Sequence, residues 1–284
     1  MATILKGAPV VAAMNERNAT VCEQLKATGI VPTLAVVRVG EREDDLSYER
    51  GVMTRCGKVG VEAKQFLLPA DATQEELLNV IAEINADDAI HGCLLFRPLP
   101  KQFDDRTVRA ALAPEKDIDG ITDGSLAGVF TNTDLGYAPC TAQACLEILK
   151  YYKVPLSGKR AVVVGRSLVV GKPAAMMLDR ENATVTLCNS RTQNLPQLCK
   201  EADVIVVAMG KMGAVGADCL RAGQTVVDVG IHVNEEGKLC GDVKFTEAEP
   251  VVDAITPVPG GVGTVTTSVL VGHVVQAAAK KAGL

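Results

Sequence analysis

Ala161-Val-Val-Val-Gly-Arg-Ser-Leu-Val-Val-Gly-Lys-Pro173 opens as a run of apolar, mostly β-branched residues, breaks at Gly165 and passes into a helical pattern from Gly171. A strand that is apolar without alternation is buried on both faces, the habit of a parallel sheet covered by helices. In a doubly wound sheet such a strand-to-helix turn holds a nucleotide. Glycine lets the main chain come close, and the free N–H groups at the positive end of the helix suit a pyrophosphate. The spacing is G-x5-G rather than G-x-G-x-x-G, and a glycine after a strand is most often only a turn, so this stretch alone leaves both readings open.

The next strand narrows them. Ala183 to Cys188 ends in Asn189-Ser190-Arg191-Thr192, about twenty residues beyond the glycine turn, where an NAD-binding fold places a carboxylate on the ribose hydroxyl. No carboxylate stands there. Ser190, Arg191 and, in the glycine turn itself, Arg166 offer instead a hydroxyl and two guanidinium groups, which pair with phosphate through parallel hydrogen bonds. This favours NADP over NAD; a solvated turn with incidental arginines is the plainer alternative.

The chain of 284 residues is long enough for two domains, and its composition, 48% apolar and 22% charged, is that of an ordinary globular protein. A net charge of −5 without a basic cluster argues against a nucleic-acid surface. The N-terminus lacks the apolar core of a signal peptide and no uninterrupted apolar run reaches membrane-spanning length, so a cytoplasmic protein without a membrane partner is expected. Nine cysteines are scattered without a C-x-x-C pair, and His91, His232 and His273 lie far apart, so neither a disulfide framework nor a metal is expected.

Strand and helix signals alternate throughout. Helices are expected at 12–25, 46–56, 75–84 and 104–112, with strands at 32–40, 61–68 and 91–96 between them. Residues 121–137 read as a connector and 141–151 as a helix. The second half then runs strand 159–164, helix 171–179, strand 183–188, helix 194–200, strand 203–207, helix near 216–221, strand 224–229 and a last helix at 266–281. The fold class is therefore α/β, two domains with parallel-type sheets, the second Rossmann-like. The boundaries are set at 1–140 plus 265–284 for the first domain and 141–264 for the second.

Six motifs occur in order: Tyr48 in a helix after a Val-Gly turn, Pro-Glu-Lys-Asp-Ile-Asp-Gly at 114–120, Pro-Cys-Thr at 139–141, Val-Val-Val-Gly-Arg-Ser at 162–167, Asp-Val-Gly-Ile at 228–231 and Pro-Val-Pro-Gly-Gly-Val-Gly at 257–263. With them the chain resembles the methylenetetrahydrofolate dehydrogenase/cyclohydrolase family over essentially its whole length. The resemblance implies a folate domain, an NADP domain, a cleft separating them and a homodimer. It also implies oxidation of a tetrahydrofolate one-carbon substrate, 5,10-methylenetetrahydrofolate, to the methenyl cation, with the hydride passing to NADP. Carried over by motif, Tyr48 packs along the folate, Asp119 hydrogen-bonds the pterin, and Pro259, Gly260, Gly261, Val262 and Gly263 wall the pocket. Gly165, Arg166, Ser167, Ser190 and Ile231 are implied to contact NADP, and Arg191 joins them from the strand-end reading above.

The chain departs from the family at the residues of its second activity. Bifunctional members hydrolyse the methenyl cation to 10-formyltetrahydrofolate with a lysine four residues after the tyrosine and a glutamine that bonds it; here those positions are Val52 and Phe96. A valine cannot transfer a proton. Arg55 shares the helix face but stays protonated, and Lys58 lies beyond Gly57. The expectation is a dehydrogenase with cyclohydrolase activity weak or absent, the alternative a bifunctional enzyme that uses another proton carrier. The loop Gly263-Thr-Val-Thr266 also replaces the family's Gly-Pro-Met-Thr. Two readings outside this pair are a non-catalytic folate or NADP sensor and an unrelated NADP oxidoreductase.

Overall fold

In the computed structural model, which describes residues 1–284, the apolar strand run at 33–39 is the central strand of one parallel sheet and the run at 160–164 an inner strand of another. In chain order the elements are β1 (Thr3–Ile4), α1 (Gly7–Ala27), β2 (Thr33–Val39), α2 (Glu43–Val59), β3 (Glu62–Leu68), α3 (Gln74–Ala86) and β4 (Gly92–Leu95). Then come α4 (Asp105–Ala111), α5 (Asp123–Thr131), α6 (Cys140–Tyr151), β5 (Arg160–Val164), α7 (Gly171–Arg180), β6 (Thr184–Cys188), α8 (Leu195–Glu201) and β7 (Val204–Val207). The chain closes with β8 (Thr225–Asp228), β9 (His232–Val233), β10 (Leu239–Cys240), α9 (Phe245–Ala248), β11 (Ala254–Ile255) and α10 (Val262–Ala282). The residues group into two compact units, Met1–Ala12 with Thr141–Thr266 and Ala13–Cys140 with Thr267–Leu284.

The first unit holds a six-stranded sheet in the order β1-β11-β8-β7-β5-β6, every pairing parallel. From β5 the chain moves one way to β6 and then crosses back to β7, so strand order reverses between β5 and β7. In open α/β sheets ligands bind at that switch point, beyond the carboxyl ends of the strands. Val162 faces Thr186 on one side and Ile205 on the other, and Val162, Val164, Ile205, Val207, Val226 and Ile255 fill one core, each at most 3% exposed. Burial of each such side chain stabilises the fold by about 1.5–3 kcal/mol.

Residues 1–12, expected in the first domain, belong to this unit. Thr3 and Ile4 pair in parallel with Ala254 and Ile255, and the Leu5 N–H donates to the Ile255 carbonyl at 2.8 Å. Two residues carry no period for a reader to detect. The helix expected near 216–221 is a single tight turn, Ala217–Cys219.

The second unit holds the sheet β3-β2-β4, again parallel. Ala35, Val37, Cys93 and Leu95 pack with Leu77, Ile81 and Ile84 of α3 and Val108 of α4. A capping box starts α3: Thr73 accepts from the Glu76 N–H, and the Glu76 carboxylate accepts from the Thr73 N–H. α2 starts ahead of the expected residue 46, because Glu43, Asp44 and Asp45 form its first turn and complement its dipole. The connector expected at 121–137 contains α5, whose N-cap Thr122 accepts from the Ser125 N–H.

The helix α10 is long and apolar enough to cross a membrane by length and composition. Its apolar side chains are used inside the protein: Val269, Leu270, Val271, Val274 and Val275 are each at most 2% exposed.

One ion pair lies inside the second unit. The Arg38 Nε on β2 donates to Glu49 of α2 at 2.7 Å, and both residues are 5% exposed. Gln65 of β3 donates to the other Glu49 oxygen, and Arg38 also donates to the Gly40 carbonyl. The pair ties α2 to both neighbouring strands. Glu49→Leu, which leaves a buried guanidinium without its counter-charge, is expected to cost about 3–5 kcal/mol in urea unfolding, and Arg38→Met with Glu49→Leu to recover most of it. A loss under about 1 kcal/mol for the single change would show that the pair does not position α2.

Candidate active site

On the cofactor side the geometry begins with what cannot fit. Gly165 follows β5 with φ +128°, and a Cβ there would stand 2.1 Å from the Ala208 carbonyl oxygen at the end of β7. A Cβ on Gly171 would stand 2.0 Å from the Gly165 carbonyl oxygen. The Gly165 N–H donates to the Cys188 carbonyl at 2.9 Å and the Ala208 N–H to the Val164 carbonyl at 2.8 Å, so the turn is wedged between the ends of β6 and β7. Ser167 accepts from the Val170 N–H at 3.1 Å and the Gly171 N–H at 3.4 Å, shaping the turn ahead of α7. Its hydroxyl hydrogen stays free to donate.

At the end of β6, the Asn189 side chain accepts from the Arg191 N–H at 3.0 Å and the Thr192 hydroxyl from the Asn189 N–H at 2.8 Å. This local turn sets out Ser190 and Arg191, both exposed, as is Arg166. Neither guanidinium pairs with a carboxylate. A tight strand-to-helix turn with no room for a Cβ at Gly165 or Gly171, next to unpaired guanidinium groups, suits a phosphorylated dinucleotide.

Pro259 to Gly263 lie at the start of α10 in this same unit. They line a cavity of about 200 Å³ together with Asp228 to Ile231, and a Cβ on Gly263 would lie 3.1 Å from Ile231 Cδ1. The loop expected to wall the folate is thus packed beside a residue expected to contact the cofactor.

In the second unit Tyr48 leaves α2 with 38% of its surface exposed, its phenol hydrogen-bonded to Thr267 of α10. Desolvation, then the nearby Asp119, pushes the phenol pKa upward. Phe96 packs edge-on to Tyr48 with ring centroids 6.0 Å apart. Val52, one turn along, is 0% exposed and Phe96 is 7% exposed, so both positions that depart from the family are closed apolar packing. Arg55 lies with Arg50, Thr54 and Lys58 on the exposed flank of α2, around a cavity of about 300 Å³.

The Asp-Ile-Asp-Gly turn sends its two carboxylates to different tasks. Asp117, fully buried, accepts from the Ile121 N–H at 3.0 Å, the Thr122 N–H at 2.7 Å and the Ser125 hydroxyl at 2.6 Å, and so fixes the start of α5. Asp119 is half-buried beside Tyr48. Desolvation raises its carboxyl to about 6, against a hydrogen bond from Cys140 that lowers it. Gly120, φ +68°, closes the turn where a Cβ would meet Pro139 N at 2.5 Å.

Behind the turn, the Ile118 carbonyl accepts from Cys140 Sγ at 3.2 Å and from His273 Nδ1 at 2.8 Å. None of Cys140, Asp117, Thr267 and His273 is among the site residues expected from sequence. Cys140 lies in the Pro-Cys-Thr motif; Thr267 and His273 sit inside a helix pattern that gives no sign that one meets the Tyr48 phenol and the other the Ile118 carbonyl.

Two family models cover most of the chain. The NAD(P)-binding domain of tetrahydrofolate dehydrogenase/cyclohydrolase matches residues 139–282, and the catalytic domain of the same enzyme matches residues 5–119. The chain is 52% identical to the bifunctional protein FolD of Carboxydothermus hydrogenoformans, with 98% of this chain and 97% of that protein covered. Among solved structures, the bifunctional FolD enzyme of Campylobacter jejuni superposes with a TM-score of 0.95 at 35% identity, over 99% of this chain and 100% of that one. The Trypanosoma brucei dehydrogenase-cyclohydrolase, complexed with NADP and an inhibitor, gives 0.91 at 31% identity over 100% and 99%. The shared description of these relatives as two-activity enzymes weighs against the expected loss of cyclohydrolase and for the alternative. With both of its units matched by one enzyme's domain models and its whole length aligned to these relatives, the chain belongs to the tetrahydrofolate dehydrogenase/cyclohydrolase family.

Proposed function

We propose that this chain, as a cytoplasmic homodimer, oxidises 5,10-methylenetetrahydrofolate with NADP and hydrolyses the methenyl product to 10-formyltetrahydrofolate. The observation that carries the first activity is the tight glycine turn at the switch point, where backbone packing leaves neither Gly165 nor Gly171 room for a side chain. NADP, when bound, supplies the hydride acceptor. Main-chain N–H groups of the turn at 165–171 hold its diphosphate, and Arg166, Ser190 and Arg191 hold its 2′-phosphate.

On the folate side, Tyr48 packs along the substrate and the ionised Asp119 accepts from the pterin. The folate nitrogens stabilise the cation left when the hydride departs, so the residues contribute mainly by alignment, worth about 7–11 kcal/mol at most.

The bifunctional relatives support the second activity. With Val52 and Phe96 in place, its proton transfers pass through a group other than the family's lysine. Asp119, at about 6, is the titratable neighbour of Tyr48 able to exchange a proton near neutral pH, since burial pushes Cys140 well above its ordinary value.

The test is to supply methylenetetrahydrofolate and NADP and to follow reduced cofactor and methenyltetrahydrofolate separately. Reduction of NADP with methenyl product decaying faster than in buffer is expected. One-for-one accumulation with decay at the buffer rate would leave a dehydrogenase alone, and no reduction would remove the enzyme reading.

A pH series gives a second check. Because the Asp119 carboxyl is raised, it takes up its proton as pH falls through about 6, well before an ordinary aspartate. The KM for the folate is expected to rise below that pH and to be high and flat in Asp119→Asn. A wild-type KM constant down to pH 5 would contradict the assigned role.

A further inference from the structure

Asp242 is 0% exposed, yet it carries a carboxylate that accepts three consecutive main-chain donors: Met209 N at 2.6 Å, Gly210 N at 3.0 Å and Lys211 N at 2.8 Å. His232 Nε2, on β9, lies 2.7 Å from the same carboxylate. The Asp242 N–H donates at 3.0 Å to Asp228, which also accepts from Val243 N at 2.9 Å and Gly230 N at 3.0 Å. Burying a carboxylate is costly unless its lone pairs are filled, and here they are filled by one short loop together with His232.

That loop begins at Ala208, whose carbonyl abuts Gly165. Gly210 takes φ +65° with open space where its Cβ would be, so glycine serves the backbone conformation there rather than a close contact. The Asp242 carboxylate therefore determines how the main chain leaves β7 beside the glycine turn.

We propose that Asp242, braced by His232, is a positioning residue for the dehydrogenase: it holds the loop 208–211 in the one conformation that walls NADP next to Gly165. The assignment rests on the NADP reading above. It adds a group that touches neither reactant and acts through a loop; no sequence motif marked it.

The experiment titrates wild type, Asp242→Asn, His232→Ala and His232→Gln with NADPH by fluorescence, then measures steady-state kinetics. Wild-type binding is read first, and its failure would remove the NADP reading and the clamp with it. Asp242→Asn puts an amide against three N–H donors and is expected to weaken NADPH binding roughly tenfold or more, about 1.4 kcal/mol. The KM for NADP should rise in parallel, while the KM for the folate and kcat at saturating NADP stay within about twofold. His232→Ala is expected to shift the same constants about threefold, and His232→Gln, which keeps a donor to the carboxylate, to restore them.

If Asp242→Asn does not fold, the His232 pair decides. Folded variants with unchanged NADPH affinity would overturn the proposal, as would a loss spread equally over the folate KM and kcat.

Discussion

No side chain can stand at position 165, because the main chain at the end of β5 and the carbonyl of Ala208 at the end of β7 already touch where a Cβ would be. This steric limit follows from the parallel pairing of two strands buried at these ends, Val162 against Ile205 and Val164 against Val207, which leaves neither end free to move apart. The turn into α7, the Ser167 hydroxyl that shapes it and the loop at 208–211 are all arranged around that contact. The buried carboxylate of Asp242 extends it toward β8 and the β9–β10 hairpin, so one end of the sheet is fixed by hydrogen bonds where side-chain packing would otherwise have to serve.

The other unit solves a different problem. Its Tyr48 is 38% exposed and still restrained in one orientation. Phe96 edge-on to the ring, Thr267 on the phenol and a fully buried Val52 underneath supply that restraint with one polar contact. Where a lysine and a glutamine would have required mutual pairing, the chain has closed apolar packing, which removes a desolvation cost and also removes a proton carrier. In the proposed reading the second activity is organised around Asp119, whose carboxyl burial raises to about 6.

Much of the fold was legible because both sheets are built from long unbroken apolar runs, and the helices between them carry clear start and stop signals. What escaped was short or polar. The two-residue strands at Thr3–Ile4 and Ala254–Ile255 have no period, and α5 begins on a Thr122 cap that only Asp117, five residues earlier, makes rigid. The motif residues Tyr48, Asp119, Gly165 and Ile231 could be named from sequence, but their supports could not. Thr267 and His273 come from a helix more than a hundred residues after the groups they bond, and Asp242 lies some thirty residues after the loop whose N–H groups it accepts from. Spacing reveals neighbours along one element; it does not reveal which polar side chain from another element will complete a site.

The most direct measurement is an amide NMR titration of the isotopically labelled protein with NADP, because it reads the main chain at the switch point itself. The account predicts the largest shifts at 165–171, 189–191 and 208–211, with NAD moving the 189–191 set far less because it lacks the 2′-phosphate. Shifts concentrated elsewhere in the chain, or equal responses at 189–191 to NAD and NADP, would contradict it.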